Sequence, residues 1–352
     1  MSHTKTTTNV TAAVASRGCT APAQQDEQQP RIVDDSRRNG NQTVPRHMFG
    51  LWERRYIRFA KNDDSQSLHY GDRESHVQVL WLQTPSGFGD MRIPKSRFCP
   101  MHTSDETFSS LAVLDVKQLI QLAAAECFCG TCLLEQSSSH TTHPTRYKAQ
   151  WVDGETGFSQ QIVSVWPEDG WLEWPGAETT SPTGTDAKDK DEKDERPCMM
   201  EYAPEGQYIE DWRLQPGSMG MCCHLTTTTT TTNDDDDERI VRNIYMAGEH
   251  LMMVVDRPRR IVDEAEDQRL LVDIVKTRHD ENRPLVESYL SQEFSYAKRK
   301  NIPIGSDATS TDYGIALSTL PWLQGQTISM DWLYDAVLDH KNVSSSTTIA
   351  TP

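Results

Sequence analysis

Asp90 and Arg92 stand two residues apart in VQVLWLQTPSGFGDMRIP (77–94), and Glu210 and Trp212 repeat that spacing in YIEDWRL (208–214). Residues i and i+2 of a β-strand project from one face, so each pair is offered to the same side of an otherwise apolar strand. A carboxylate beside a guanidinium, walled by aromatic rings, orients the polar group of a ligand in a small barrel. If that ligand reacts, Arg92 would stabilise developing negative charge and Asp90 or Glu210 would move a proton. Trp81 and Gln83 share a face of the preceding strand. The candidate binding set is thus Trp81, Gln83, Asp90, Arg92, Glu210 and Trp212, with Asp90, Arg92 and Glu210 as candidate catalytic groups. Arg54, Ser318 and Thr319 are further polar residues on apolar strands. The competing reading places these faces in solvent, where an Asp90–Arg92 pair contributes less than about 1 kcal/mol. Trp52, Trp81, Trp151, Trp212 and Trp322 all fall on expected strands, and aromatic residues at strand spacing commonly build core.

Cys127, Cys129 and Cys132 (CFCGTC) form the other dense group of reactive side chains. A zinc ribbon needs two C-x2-C knuckles far apart, and only Cys129 and Cys132 make one here. The expectation is packed structural thiols and no bound metal. Cys222, Cys223 and His224 would add ligands only where two domains meet. His140 and His143 lie in a Ser/Thr-rich loop ahead of Pro144 and read as solvated. His250 and Glu249 are sequence neighbours, so on a strand they point to opposite faces. Phosphate-binding loops, dinucleotide fingerprints, nucleophile elbows and zincin helices are absent from the sequence, and no cofactor is expected.

The elements that must position these residues are mostly strands. Val77, Val79, Trp81 and Gln83 alternate with Leu80 and Leu82, and a Gly/Pro turn returns the chain through Asp90, Arg92 and Pro94, with Met91 and Ile93 opposite. GLWERRYIRFA supplies a strand before this hairpin, and TCLLEQ, Tyr147–Val152, QIVSVW and WLEW supply strands after it. Asp115 with Gln118 marks a capped helix start ending before Gly130, expected as a plug or lid on a barrel. A similar grammar recurs in the second half. A hairpin over Ala247–His250 ends in Asp256, Arg257 and Pro258, an echo of Asp90, Arg92 and Pro94. A helix follows with Asp263 and Glu266 as capping residues, and Pro284 starts a shorter helical piece, LVESYL. These signals read as an internal duplication and an all-β, mainly antiparallel protein of two tandem barrels, each with one packed helix.

The 352 residues suffice for two domains of ordinary size. The expected boundaries are a disordered tail at 1–46, a first barrel at 47–216, a second at 217–340 and a tail at 341–352. An acidic insertion at about 176–197 and a Thr/Asp insertion at about 226–238 read as solvated and unstructured. A net charge of −17 argues against nucleic acid as a partner. No apolar run is long enough for a membrane span, and sparse, clustered cysteines with no secretory signal point to the cytoplasm.

At WERRYIRF, VLWLQTPSGFGDMRIP, DVKQLIQLAAAECFCG, YIEDWRL and LSTLPWLQGQ the chain resembles the Hri family, named for a fungal kinase-interacting protein. The resemblance covers about residues 48–330 and is strongest in VLWLQ with its D-x-R-x-P return strand and in STLPW followed by Gly-Gln. It implies two tandem calycin-like, that is lipocalin-like, barrels and assigns no catalytic residue. The leading functional expectation is a barrel that binds a small, largely apolar molecule. The alternatives are a cofactor-independent isomerase or cyclase acting on such a ligand, and a scaffold for a protein partner.

Overall fold

The computed structural model describes residues 26–27, 31–32, 44–61, 69–97, 110–136, 146–152, 157–161, 169–174, 194–233, 236–257, 270–300 and 312–330. The expectations for His140 and His143, the acidic run up to residue 193, the helix start at Asp263 and the C-terminal tail lie outside these residues. Two short strands come first, β1 (Asp26–Glu27) and β2 (Arg31–Ile32). There follow β3 (Gly50–Lys61), β4 (His69–Tyr70), β5 (Val77–Gln83), β6 (Phe88–Pro94), α1 (Val116–Ala123), β7 (Phe128–Gln136) and β8 (Arg146–Val152). The first half ends with β9 (Phe158–Ser159), β10 (Gly170–Glu173), β11 (Cys198–Tyr202) and β12 (Tyr208–Leu214). The second half contains β13 (Cys222–Asn233), β14 (Asp236–Ala247), β15 (His250–Val255), α2 (Leu271–Arg278), α3 (Arg283–Leu290), β16 (Glu293–Arg299), β17 (Asp312–Ser318) and β18 (Thr327–Ser329).

Among the described residues every strand pairing is antiparallel. Strands β3, β5, β6, β7, β8, β10, β11 and β12 follow one another as an up-and-down meander, and β12 pairs with β3 to close it. Closure is complete from Tyr208↔Phe59 to Leu214↔Trp52, so this barrel exposes no long edge there. Strands β13 to β18 form a second meander, a half-barrel, with β1 and β2 added along β13. In both meanders the helical segment follows the third long strand, β6 in one and β15 in the other. The fold is that of two tandem calycin-like barrels, the first closed and the second open.

The β5–β6 hairpin sits where the two meet. Its register runs from Val77↔Pro94 to Gln83↔Phe88, as the alternation requires. Val79, Trp81 and Phe88 join the apolar cluster of the barrel interior, whereas Leu80, Leu82, Met91 and Ile93 join Tyr245, Met252, Val254 and Phe294 of the second sheet. Both faces are buried, which explains why VLWL is a continuous apolar run and not a half-polar alternation. Each aliphatic side chain removed from water in this seam contributes about 1.5–3 kcal/mol.

Three elements depart from expectation. Asp115 does cap α1, with the Gln118 side chain returning the capping box. The helix ends at Ala123, however, and Gly130 lies inside β7. Nor does α1 close the barrel. Its apolar face meets α2 and α3 through Leu119, Leu122, Ile274, Val275 and Tyr289, a helical layer beside the seam. The barrel end is instead crossed by residues 44–49. Val44 and Met48 pack into the interior cluster, Trp52 Nε1 donates to the Met48 carbonyl at 2.7 Å, and His47 lies edge-on to Trp174 at 4.5 Å. Finally, the Thr-rich run, unstructured by composition, forms the distal part of β13 in register with β14 up to Asn233↔Asp236. Threonine is β-branched and suits a strand.

Candidate functional site

Inside the closed barrel, aromatic rings from strands that are not neighbours meet across the interior. Trp81 of β5 lies 5.8 Å from Trp212 of β12 and 6.2 Å from Trp151 of β8, both contacts edge-to-face. Such pairs add about 0.5–1.5 kcal/mol beyond area burial. Contacts across the lumen require all three side chains to point inward. Alternation then carries Asp90 and Arg92 of β6, Glu210 of β12 and Arg54 of β3 to the same interior.

The charged groups are buried, which settles the competition with a solvent-facing surface. Arg92 donates from Nε and Nη2 to the two carboxylate oxygens of Asp90 at 3.0 and 3.2 Å. The side chains of the pair are only 7% and 4% exposed. Arg54 pairs with Glu210. A fifth ionisable group completes the cluster. Glu201, on β11, accepts from Trp212 Nε1 at 3.1 Å and lies 3.2 Å from the Tyr208 hydroxyl.

Charge balance follows from the local chemistry. Burial pushes the Asp90 carboxyl up, opposed by the Arg92 guanidinium beside it. Burial would by itself weaken Arg92 as a cation, but Asp90 and Glu210 hold its proton above the ordinary arginine value. Among the described residues Glu201 has no ion-pair partner, and the Arg92 guanidinium opposes its shift only in part. Burial first, and then the Glu210 carboxylate, push it up to about 8. Burial and the Glu201 carboxylate likewise raise the Tyr208 phenol. With Glu201 protonated, the remaining acids and bases are matched one to one, Asp90 with Arg92 and Glu210 with Arg54.

Not every polar atom of the interior is matched. The indole Nε1 of Trp81 and the Oε2 of Glu210 are buried without a hydrogen-bond partner. A buried donor or acceptor left unmet costs about 1–3 kcal/mol, so these two atoms mark where a polar ligand group gains most. Gly170 lets the Trp151 ring approach the backbone closely, next to Glu201. A Cβ there would lie 2.7 Å from Trp151 Cη2 and 3.4 Å from Glu201 Oε1.

Of the six residues expected to bind, Trp81, Asp90, Arg92, Glu210 and Trp212 converge in this interior. Gln83 is engaged elsewhere: its Nε2 donates to the carbonyls of Thr84 and Gly87, which ties the hairpin turn. Ser318 and Thr319 are also structural. Ser318 meets Ser295 at 2.9 Å, and Thr319 Oγ1 accepts from the Phe294 amide at 2.9 Å. Trp322 lies in a 3-10 turn, Pro321–Leu323, and not on a strand. The residue absent from the expected set is Glu201. Its signal was present in the sequence: CMMEYAPEGQYIEDWRL is a strand, a Pro/Gly turn and a strand, but the adjoining acidic run obscured the first of them.

The cysteines divide between two cores. Cys127 and Cys129 lie in the seam and Cys132 in the barrel, all buried. Burial pushes the Cys129 thiol up to about 12 and the other two higher still. Buried thiols of this kind are poor nucleophiles. His224 does meet the first half, as a domain contact would allow, but as a packing group. It stacks on Tyr245 at 4.4 Å, its Nε2 lies 3.1 Å from Asn243 Oδ1, and Asn243 donates to Cys129 Sγ at 3.8 Å. Burial lowers the His224 imidazole to about 4. Among the described residues no three His, Cys, Asp or Glu side chains are placed to hold a metal ion. His250 is likewise tied down, by Tyr296 and the Pro216 carbonyl at 3.0 and 2.9 Å.

Arg257, the counterpart of Arg92 in the sequence echo, is built differently. It spans the seam, donating from Nη2 to the Ser159 carbonyl and to Gln292 Oε1, both at 3.0 Å. No helix among the described residues is long and apolar enough to cross a membrane. Comparisons of the chain with protein-family models, with curated proteins and with solved structures found no match.

Proposed function

We propose that the first barrel binds a small molecule whose body lies against Trp81, Trp151 and Trp212 and whose polar group meets the buried charged cluster. The observation that carries this reading is the pair of unmet polar atoms, Trp81 Nε1 and Glu210 Oε2, beside a largely buried set of ion pairs. A purely structural core gains nothing from holding such atoms unpaired, since an apolar core of equal volume is often as stable. The ligand is more polar at one end than a largely apolar molecule would be. Its capture is read directly by the tryptophans: binding changes their emission, and Trp81→Phe reduces both the change and the affinity. Native mass spectrometry with no retained ligand, together with unchanged emission across a chemically diverse small-molecule library, would defeat the reading.

Glu201 favours a second reading, a cofactor-independent isomerase or cyclase. A carboxylic acid that still carries its proton at neutral pH is suited to proton transfer, with Arg92 stabilising developing negative charge. In that case Glu201→Gln keeps binding but loses turnover. On either reading the chain is proposed as a member of the Hri family, its most family-like stretch being the hairpin that lines the site. The cysteines at 127, 129, 132, 198, 222 and 223 are all free, which fits a reducing, cytoplasmic setting.

A further inference from the structure

We infer that the ligand of the first barrel is an organic monocation, a protonated amine or quaternary ammonium group bearing an oxygen acceptor, held by Glu201 among Trp81, Trp151 and Trp212. The inference rests on the small-molecule reading above and adds the charge and class of the ligand. It starts from the way charges are matched. Arg54 is taken by Glu210, and Arg92 by Asp90. Glu201 is the remaining carboxylate, and among the described residues it has only neutral hydrogen-bond partners, Tyr208 and Trp212. The interior therefore has one more acid than base. A buried carboxylate without a cation takes up a proton, and a ligand cation supplies what the proton otherwise provides.

The surroundings of Glu201 are those that recognise such a cation. Trp212 holds its Oε2, and Trp151 Cη2 converges with its Oε1 on Gly170. Trp81 bridges the two rings across the barrel. Several aromatic rings gathered around a carboxylate are a receptor suited to ammonium groups. The second, independent mark is Trp81 Nε1. It is the sole polar atom of a side chain only 1% exposed, and it has no partner. A donor facing the lumen calls for an oxygen on the ligand. The groups facing Glu201 are Glu210, Tyr208 and Trp212 from β12, Asp90 and Arg92 from β6, and Cys132 from β7. None supplies a free positive charge, so binding of the cation releases the Glu201 proton.

The test uses the full chain and charge-matched probes: choline against its uncharged carbon isostere 3,3-dimethylbutan-1-ol, and tyramine against 4-hydroxyphenethyl alcohol. At pH 7 at least one cation is expected to bind 30-fold or more tighter than its neutral isostere. Calorimetry in phosphate and in Tris should differ by the heat of about one released proton. Glu201→Gln, its folding checked by thermal melting, should abolish that release and cut cation affinity at least tenfold, with little effect on the neutral probes. Equal binding of neutral and charged probes overturns the inference but leaves the small-molecule reading standing. Tight cation binding that survives Glu201→Gln overturns the role of Glu201. If no probe binds or alters tryptophan emission, the cation inference fails, and failure of the wider library as well removes the reading beneath it.

Discussion

Trp81 and Leu82 are adjacent in sequence, yet one side chain enters the barrel interior and the other enters the seam against the second sheet. The two environments handle buried polarity in opposite ways. The interior gathers five ionisable groups among tryptophans and balances them by ion pairing and by keeping Glu201 protonated. The seam admits aliphatic, aromatic and sulfur-containing side chains, a histidine held neutral, and Arg257, whose guanidinium donates to a backbone carbonyl and to Gln292. The lesson is that a single hairpin serves two purposes, and its two faces should respond to mutation and to pH in different senses.

The largest expected effect breaks the interior side of the comparison. Arg92→Met strands the Asp90 carboxylate in the core and should cost about 3–5 kcal/mol in chemical denaturation. Pairing it with Asp90→Leu should return much of that loss, whereas adding a seam mutation should not. Glu201→Gln is next and should stabilise the protein by about 3 kcal/mol at pH 7. The sign follows because the folded acid holds its proton between about 4.5 and about 8 while the unfolded chain gives it up. Wild-type stability therefore falls as pH rises through that window, and the variant should lose that slope. No difference in slope would mean that Glu201 ionises at its ordinary pH.

On the seam side, Gly87→Ala places a Cβ 2.9 Å from the Gly130 carbonyl and 3.0 Å from His224 and Tyr245. Overpacking here should cost about 1–3 kcal/mol and leave the emission response to a barrel ligand intact. The smallest effect belongs to His224. Its folded value of about 4 lies below the ordinary 6.5, so the unfolded chain binds the proton first on acidification. Stability is complete above about 6.5 and declines toward about 4, with about 1 kcal/mol lost by pH 6. Acid melts of His224→Gln should lack this component. Barrel and seam thus bend the pH–stability curve from opposite sides.

The hairpin, the Asp115 cap, the turn at 248–249 and the helix opened by Pro284 were legible because each depends on local chemistry: alternation, a capping carboxylate, a tight turn, a fixed φ. That five of the six candidate residues lie on interior faces was legible for the same reason, since i and i+2 share a face. Gln83 has the same parity as Trp81, and alternation could not reveal that its Nε2 would be tied to the turn carbonyls. The amphipathic face of α1 suggests a plug, but an apolar stripe does not name its partner. Here the partners are α2 and α3, while a short stretch with no periodicity, 44–49, covers the barrel end.

By itself the sequence determined the hairpins and the capped helix start, and which side of a strand a residue occupies. These are consequences of backbone geometry within a few residues. Only the tertiary structure decided that both faces of the central hairpin are buried, and that Glu201 joins Asp90 and Glu210 around two guanidiniums. It likewise separated Cys132 from Cys127 and Cys129, placing them in different cores. Such groupings are set by closure of β12 on β3 and by the docking of one sheet on another, contacts between residues as far apart as Arg54 and Glu210. The protonation state of Glu201, on which the chemistry of the site turns, exists only once those distant carboxylates share a dry interior.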